Sequence, residues 1–189
     1  MNSPFKRLLA SLAVAAAAAT AGAVMAAESP APVENGVWQK HDMTFQYMGF
    51  TSIYSCDGLV DKLKQLLLLS GARSDAKSRV AGCTNISGGP DRMAGARLQF
   101  YTLTQDSSAK GDAGQGVWRD VKLASVRSRD LEPGDCELVE QFRDMVLKKM
   151  FTVRNLQDNV HCIPHQVVGA VIDLKFQVLA APVPAPKTK

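Results

Sequence analysis

Histidine and cysteine are scarce in this chain, with three of one and four of the other in 189 residues, and these scarcities exclude a good deal. No C-x-x-C pair is present, which removes the usual signature of a thiol–disulfide oxidoreductase. None of His41, His161 and His165 stands in a Ser, Cys or Asp context resembling a nucleophilic triad motif. The G-x-x-x-x-G-K-[ST] spacing of a phosphate cradle is missing too, so Gly88-Gly89-Pro90 reads as loop. Past Ala23 no apolar run is long enough for a membrane-spanning helix, which needs roughly 20 residues. An excess of one charge is also lacking. The formal net charge of +4 falls to +2 once Lys6 and Arg7 are removed. The remaining charges are interspersed, which gives nucleic-acid binding no support.

What the N-terminus does have is a three-part layout. Lys6 and Arg7 precede an almost unbroken run of small apolar residues from Leu8 to Ala23, and Ala23-Val24-Met25-Ala26-Ala27 follows as a cleavage-like site. That is the pattern of a secretory signal peptide over residues 1–27, with no stable membrane insertion expected after cleavage. The destination implied is the periplasm or the medium, where thiols are oxidised. A mature chain of about 160 residues is enough for one domain with a core or for two small lobes.

An internal repeat organises what remains. Sliding Cys56–Cys83 forward by 79 positions lays Leu59, Val60, Leu63, Leu66, Leu67 and Cys83 onto Leu138, Val139, Phe142, Met145, Val146 and Cys162. Cys56 meets Cys136 after a one-residue gap.

The Pro, Ala and Glu content of residues 28–42, with Asn35-Gly36 as a turn signal, predicts a flexible lead-in. Aromatic and β-branched residues from Met43 to Tyr54 predict a strand, with a bend at Gly49. The i, i+3, i+4, i+7 spacing of Leu59, Val60, Leu63, Leu66 and Leu67 predicts a helix capped by Ser55 and ended by Gly71. A weak strand around Val80, a loop over residues 84–95 and a strand over residues 97–104 complete the first β-α-β-β repeat, residues 43–104. Residues 105–116 are rich in Ser, Gly and Asp and read as the linker. The second repeat, residues 117–179, repeats the order. It has a strand from Val117, a turn at Glu132-Pro133-Gly134-Asp135, a helix with Leu138, Val139, Phe142, Met145 and Val146 on its buried stripe, and a strand that is irregular near Asn155. A last strand alternates Ile172, Leu174, Phe176 and Val178 with polar residues, and residues 180–189 read as a disordered tail. The fold class expected is therefore α+β, two tandem β-α-β-β repeats of ferredoxin-like or similar sandwich form. Nothing in the pattern says whether the repeats share one sheet.

Four cysteines allow three pairings, and the repeat selects one. In each copy the first cysteine starts a helix and the second closes the strand that returns to the same edge. Cys56 with Cys83 and Cys136 with Cys162 is the expected pairing. Each bridge is worth about 3 to 4 kcal/mol through the unfolded chain. A thiol at a helix start is also the place for a reactive cysteine, but both sites have a partner.

Among other candidates, His161 and His165 with His41 form the alternative reading of a copper or zinc binder, with Met43 and Met48 as companions. Against it, Cys162 is needed for the bridge, and neighbours such as His161 and Cys162 point to opposite faces of a strand. Asp57, Asp61, Glu137 and Glu140 read as solvated or dipole-facing carboxylates of two helices. Trp38 and Trp118 read as packing residues, with exposed binding aromatics as the alternative. Asn85-Ile86-Ser87 fits a glycosylation acceptor, meaningful only in a eukaryotic source.

Two runs, Phe50-Thr51-Ser52-Ile53-Tyr54-Ser55-Cys56-Asp57-Gly58-Leu59 and Asp135-Cys136-Glu137-Leu138, together with Gly71-Ala72-Arg73 and Gly82-Cys83, resemble a family of uncharacterised secreted or periplasmic proteobacterial proteins. The resemblance implies the compartment and no activity. Together these observations predict a non-enzymatic, disulfide-stabilised periplasmic or secreted binding module that needs no cofactor, with an envelope protein or ligand as its partner. The metal-binding protein is the alternative, and a small hydrolase with an unrecognised site the third. Export predicts a mature start near Ala27 or Glu28. N-terminal sequencing of protein from the envelope or medium should return that start, and Met1 would contradict it.

Overall fold

The structure is a computed structural model that describes residues 32–83, 89–125 and 131–182. The expected signal peptide, the Asn85-Ile86-Ser87 sequon and most of the expected tail lie outside the described residues. The strands among the described residues are β1 Glu34–Gln46, β2 Lys77–Val80, β3 Gly95–Thr104, β4 Asp112–Ala124, β5 Val153–Asp158, β6 His161–Ile163, β7 Gln166–Val171 and β8 Asp173–Ala180. Six of them form one sheet in the order β2-β3-β1-β4-β8-β5, and β6 and β7 form a separate hairpin. Every ladder is antiparallel. The protein is thus a mixed α and β structure with an antiparallel sheet, and both halves of the chain share it.

Helix α1, Cys56–Leu69, forms where the apolar spacing indicates. Ser55 accepts a hydrogen bond from the Gly58 amide at 3.0 Å, the usual role of an N-cap serine. Asp57 occupies the first turn, and Gly71 leaves the helix at a φ of 97°, a conformation that glycine adopts freely. The buried stripe of α1 is Leu59, Leu63, Leu66 and Leu67. The second helix follows a short 3-10 turn, Pro133–Asp135. It runs as α2, Cys136–Phe142, then a π-helical segment, Arg143–Leu147, and a last α turn, Lys148–Met150. Leu138, Val139, Phe142 and Val146 are buried as expected. Within the π segment Arg143 donates to Asp144 at 2.7 Å and to Asp158 of β5 at 3.0 Å. The charge-assisted bond to Asp158 fastens the helix to the sheet's edge strand. The helices meet one face of the sheet through Phe45, Leu98, Phe100, Val121, Leu123, Leu174, Phe176 and Val178, so burial alternates along the strands. The opposite face carries Lys40, Asp42, Gln99, Asp120, Lys122 and Gln177.

Both disulfides join the cysteines that the repeat pairs, Cys56 to Cys83 and Cys136 to Cys162. The irregularity expected near Asn155 is a register shift in β5, with Asn155 at a φ of 53°. One extra residue on one strand of a ladder produces such a kink.

Three expectations need correction. Residues 34–42, read as part of a flexible lead-in, are the first nine residues of β1, and residues 112–116, read as linker, open β4. The cause lies in the glycines. Gly36 sits opposite Gly114, and Glu34 sits opposite Gly116. What looks like turn chemistry is the seam at which the two halves pair, and it needs residues without side chains because Leu103, Leu179 and Trp38 fill the space above it. A Cβ on Gly116 would stand 2.3 Å from Leu103 Cδ2 and 2.9 Å from Leu179 Cδ1. Third, the strand expected over residues 43–54 ends at Gln46, and the following segment is irregular. It is held by Tyr47 N to Ala94 O, Gly49 N to Arg92 O and a single bridge between Tyr54 and Asp91.

The seam yields a test. Gly116→Ala should destabilise the fold by about 1 to 3 kcal/mol, since two buried leucines must shift to admit one methyl. Urea unfolding measures it, and a loss below experimental error would mean the seam tolerates a side chain.

Candidate functional site: a polar clamp beneath an apolar rim

Segment 47–54 leaves β1 and must reach the start of α1 without regular pairing, so its amide groups need partners from elsewhere. Glu137, in the first turn of α2, supplies them. Its carboxylate accepts from the Phe50 amide at 3.0 Å, from the Thr51 amide at 3.0 and 3.1 Å, from the Thr51 hydroxyl at 3.0 Å and from the Tyr47 hydroxyl at 3.3 Å. Burial pushes the carboxyl pKa up. The Thr51 amide and hydroxyl and the Phe50 and Ser52 amides outweigh that and hold it below the usual glutamate value. Glu137 therefore stays ionised while buried.

Asp135, two residues earlier and also buried, does the same for the end of the segment. It accepts from the Tyr54 hydroxyl at 2.6 Å, from Lys62 Nζ of α1 at 2.8 Å and from the Glu132 amide at 2.9 Å. Burial, then the neighbouring carboxylates, raises both tyrosine pKa values, so Tyr47 and Tyr54 remain protonated donors. The two rings meet edge-on at 5.0 Å, a geometry that aromatic quadrupoles favour. Gln141 completes the grip, pairing its amide with Met48 N at 3.0 Å and Met48 O at 2.8 Å.

With its backbone fixed from below, the segment turns its side chains outward. Met48, Phe50 and Ile53 are exposed. Beside them stands the β6-β7 hairpin, tethered by the Cys136–Cys162 bridge, with Thr51 Oγ1 3.3 Å from Ile163 O and Phe50 edge-on to His165 at 6.1 Å. The hairpin is irregular. His161 pairs with Val171 and Ile163 with Gln166, so β7 carries a bulge, with Gly169 at a φ of 90°. Bulges re-aim the side chains beside them. Here Val168 stands 88% exposed, with Val167 and Val171 also exposed. Six of the ten large hydrophobic residues exposed among the described residues lie on these two adjoining segments. Between them runs a groove of about 380 Å³ lined by Met48, Phe50, Glu140, Gln141 and Pro164.

The residues singled out in the sequence fall as follows. His41 faces inward from β1, with Nε2 2.8 Å from Thr102 Oγ1 and its ring 5.0 Å from that of Phe100. Burial lowers its pKa. His161 lies on β6, and His165 takes a positive φ in the hairpin turn. Among the described residues no group of three or more His, Cys, Asp or Glu is placed to hold a metal, so the histidines of the metal reading are not brought together. Cys162 is committed to its bridge. Trp38 and Trp118 lie partly buried on the open sheet face, each under an arginine, Arg73 at 5.5 Å and Arg154 at 4.0 Å. Asp57 and Asp61 sit on α1 as expected. Glu137 does not fit its expectation: read as an ordinary first-turn carboxylate, it is buried and accepts from a distant segment. The one signal pointing to it is the pair of runs around Phe50 and Asp135, which the fold brings into contact. The valines of β7 carry no comparable signal in the sequence.

Comparison of the chain with protein-family models, with curated proteins and with solved structures gives no match. Among the described residues no helix is long and apolar enough to cross a membrane.

Glu137 sets a pH signature. Its pKa is lowered in the folded state, so its stabilisation is present above the ordinary glutamate range and is lost as pH falls through the folded value. Glu137→Gln should cost about 2 to 3 kcal/mol at neutral pH, since only one of the two terminal atoms of the amide can accept and its NH2 would face donors. The gap to the native chain should shrink as pH drops below the usual carboxylate range. Urea midpoints of both proteins across that range measure it, and a constant gap would show that the charge is immaterial.

Proposed function

We propose that this chain is a non-enzymatic, periplasmic or secreted binding module that contacts an envelope protein through the apolar rim of segment 48–53 and the β6-β7 hairpin. The observation that carries this reading is the concentration of Met48, Phe50, Ile53, Val167, Val168 and Val171 on two segments held rigid from beneath by Glu137 and Cys162. Exposed apolar side chains on a preordered backbone bind without the cost of ordering a loop. Val168, raised by its bulge, has the form of an anchor for a partner's pocket. Two disulfides favour an oxidising compartment, in keeping with the signal-like N-terminus.

The module's architecture is a duplicated β-α-β-β unit in this reading. Supporting it, the sheet order β2-β3-β1 followed by β4-β8-β5 runs outward from the seam in matching sequence: first strand, last strand, middle strand. The bridges also have matching positions, with separations of 27 and 26 residues. The hairpin is then an insertion in the second unit alone.

A photoreactive amino acid placed at Phe50 or Val168 in the full chain, expressed in its native cells, tests the rim. Position-specific adducts are expected at both sites and none at Thr44, an exposed residue on the open face of β1. Adducts at Thr44 alone, or at none of the three, would defeat the proposal.

A further inference from the structure

The register shift in β5 does more than interrupt a ladder. Arg154 pairs with Gln177 and Gln157 with Lys175, so one extra residue is accommodated between them. In a regular strand Arg154 and Asn155 would point to opposite faces. Asn155 instead takes a φ of 53°. Arg154, Asn155 and Gln157 all reach the open face of the sheet, while Leu156 still packs against the core. The result is a groove of about 380 Å³ across β4, β8 and β5, lined by Asp120, Lys122, Asn155, Gln157, Lys175 and Gln177.

Its floor is organised. Gln177 accepts from Arg154 Nε at 2.7 Å and from Asn155 Nδ2 at 3.1 Å, and donates to Asp120 at 2.9 Å. Arg154 is further fixed by stacking over Trp118 at 4.0 Å, a cation over an aromatic face. Asn155 and Gln157 line the groove beside this network. Next to it, Lys122 and Lys175 lie directly opposite each other in the ladder, an arrangement that like charges disfavour. A single carboxylate, Asp173, serves both, at 3.3 Å from Lys175 and 3.9 Å from Lys122. Counting Arg154 and Asp120, three cations face two carboxylates. An anion between the lysines would relieve that pair, while side-chain amides and Asp120 match the alternating donors and acceptors of hydroxyl groups. A groove open to solvent on a sheet face suits a length of chain rather than an enclosed small molecule.

We infer that this groove binds an acidic oligosaccharide, with Lys122 and Lys175 on its carboxylate and Asn155, Gln157 and Asp120 on its hydroxyls. The site is separate from the apolar rim and stands whether or not that rim binds a protein.

Trigalacturonate, titrated into the mature protein and followed by backbone amide shifts, is the probe, with maltotriose and citrate as comparisons. Saturable shifts confined to β4, β5 and β8 are expected with trigalacturonate. A Lys122→Ala, Lys175→Ala variant should bind at least about tenfold more weakly. Asn155→Gly, which keeps the positive φ but removes the amide, should bind about threefold or more weakly without altering the far-ultraviolet spectrum. The substituted side chains all lie on the open face, so each variant should fold. Absence of saturable binding, citrate binding as tightly as trigalacturonate, maltotriose doing so, or unchanged affinity in the variants would each overturn the assignment.

Discussion

A buried carboxylate that must remain charged ties this fold together. Glu137 is held in the interior by two amides and two hydroxyls of segment 47–51, and an ionised group there is tolerable only while those donors stay in place. The dependence is mutual. Without the carboxylate the segment has no regular ladder to occupy its amides, and without the segment α2 begins with an unpaired charge. Asp135 repeats this logic with Tyr54 and Lys62, adding a contact to α1. Alongside the β1-β4 ladder of Glu34–Trp38 against Asp112–Gly116 and the shared apolar core, these side chains add directional contacts between the halves.

Much of the architecture was legible where one physical demand dominates. Both helical stripes, the alternation of β8 and the pairing of cysteines follow from burial periodicity and from duplicated spacing, and each is present. Even the break at Asn155 showed. Sequence and structure part where one residue type serves two ends. Glycine marks turns, but Gly36, Gly114 and Gly116 sit in strands because Leu103, Leu179, Trp38 and the Thr104 carbonyl occupy the space that a Cβ would take. Likewise a glutamate in a helix's first turn is expected to face water and the helix dipole. Only tertiary structure shows that Glu137 looks inward at a segment 86 residues away.

The candidate surface was less legible than the fold. Val167-Val168-Gly169-Ala170-Val171 has no clean period because its strand is bulged, and a short valine-rich run reads equally as core. Its exposure depends on the hairpin turn at His165, a residue type that signals such a turn weakly. The rim also needs a rigid base, and that base is the polar clamp rather than the apolar core. The apolar rim, as proposed, sits on irregular segments, while regular elements supply its platform.

The two bridges have a consequence for how the molecule is made. Each closes on cysteines that are consecutive in the chain, first with second and third with fourth. A chain that enters an oxidising space from its N-terminus presents Cys56 and Cys83 before Cys136 has emerged, so at that moment the native bridge is the only one that can form. Emergence of Cys136 and Cys162 then leaves the second pair to each other. For a chain exported in that way, order of arrival by itself favours the native connectivity, without a later exchange of mispaired sulfurs.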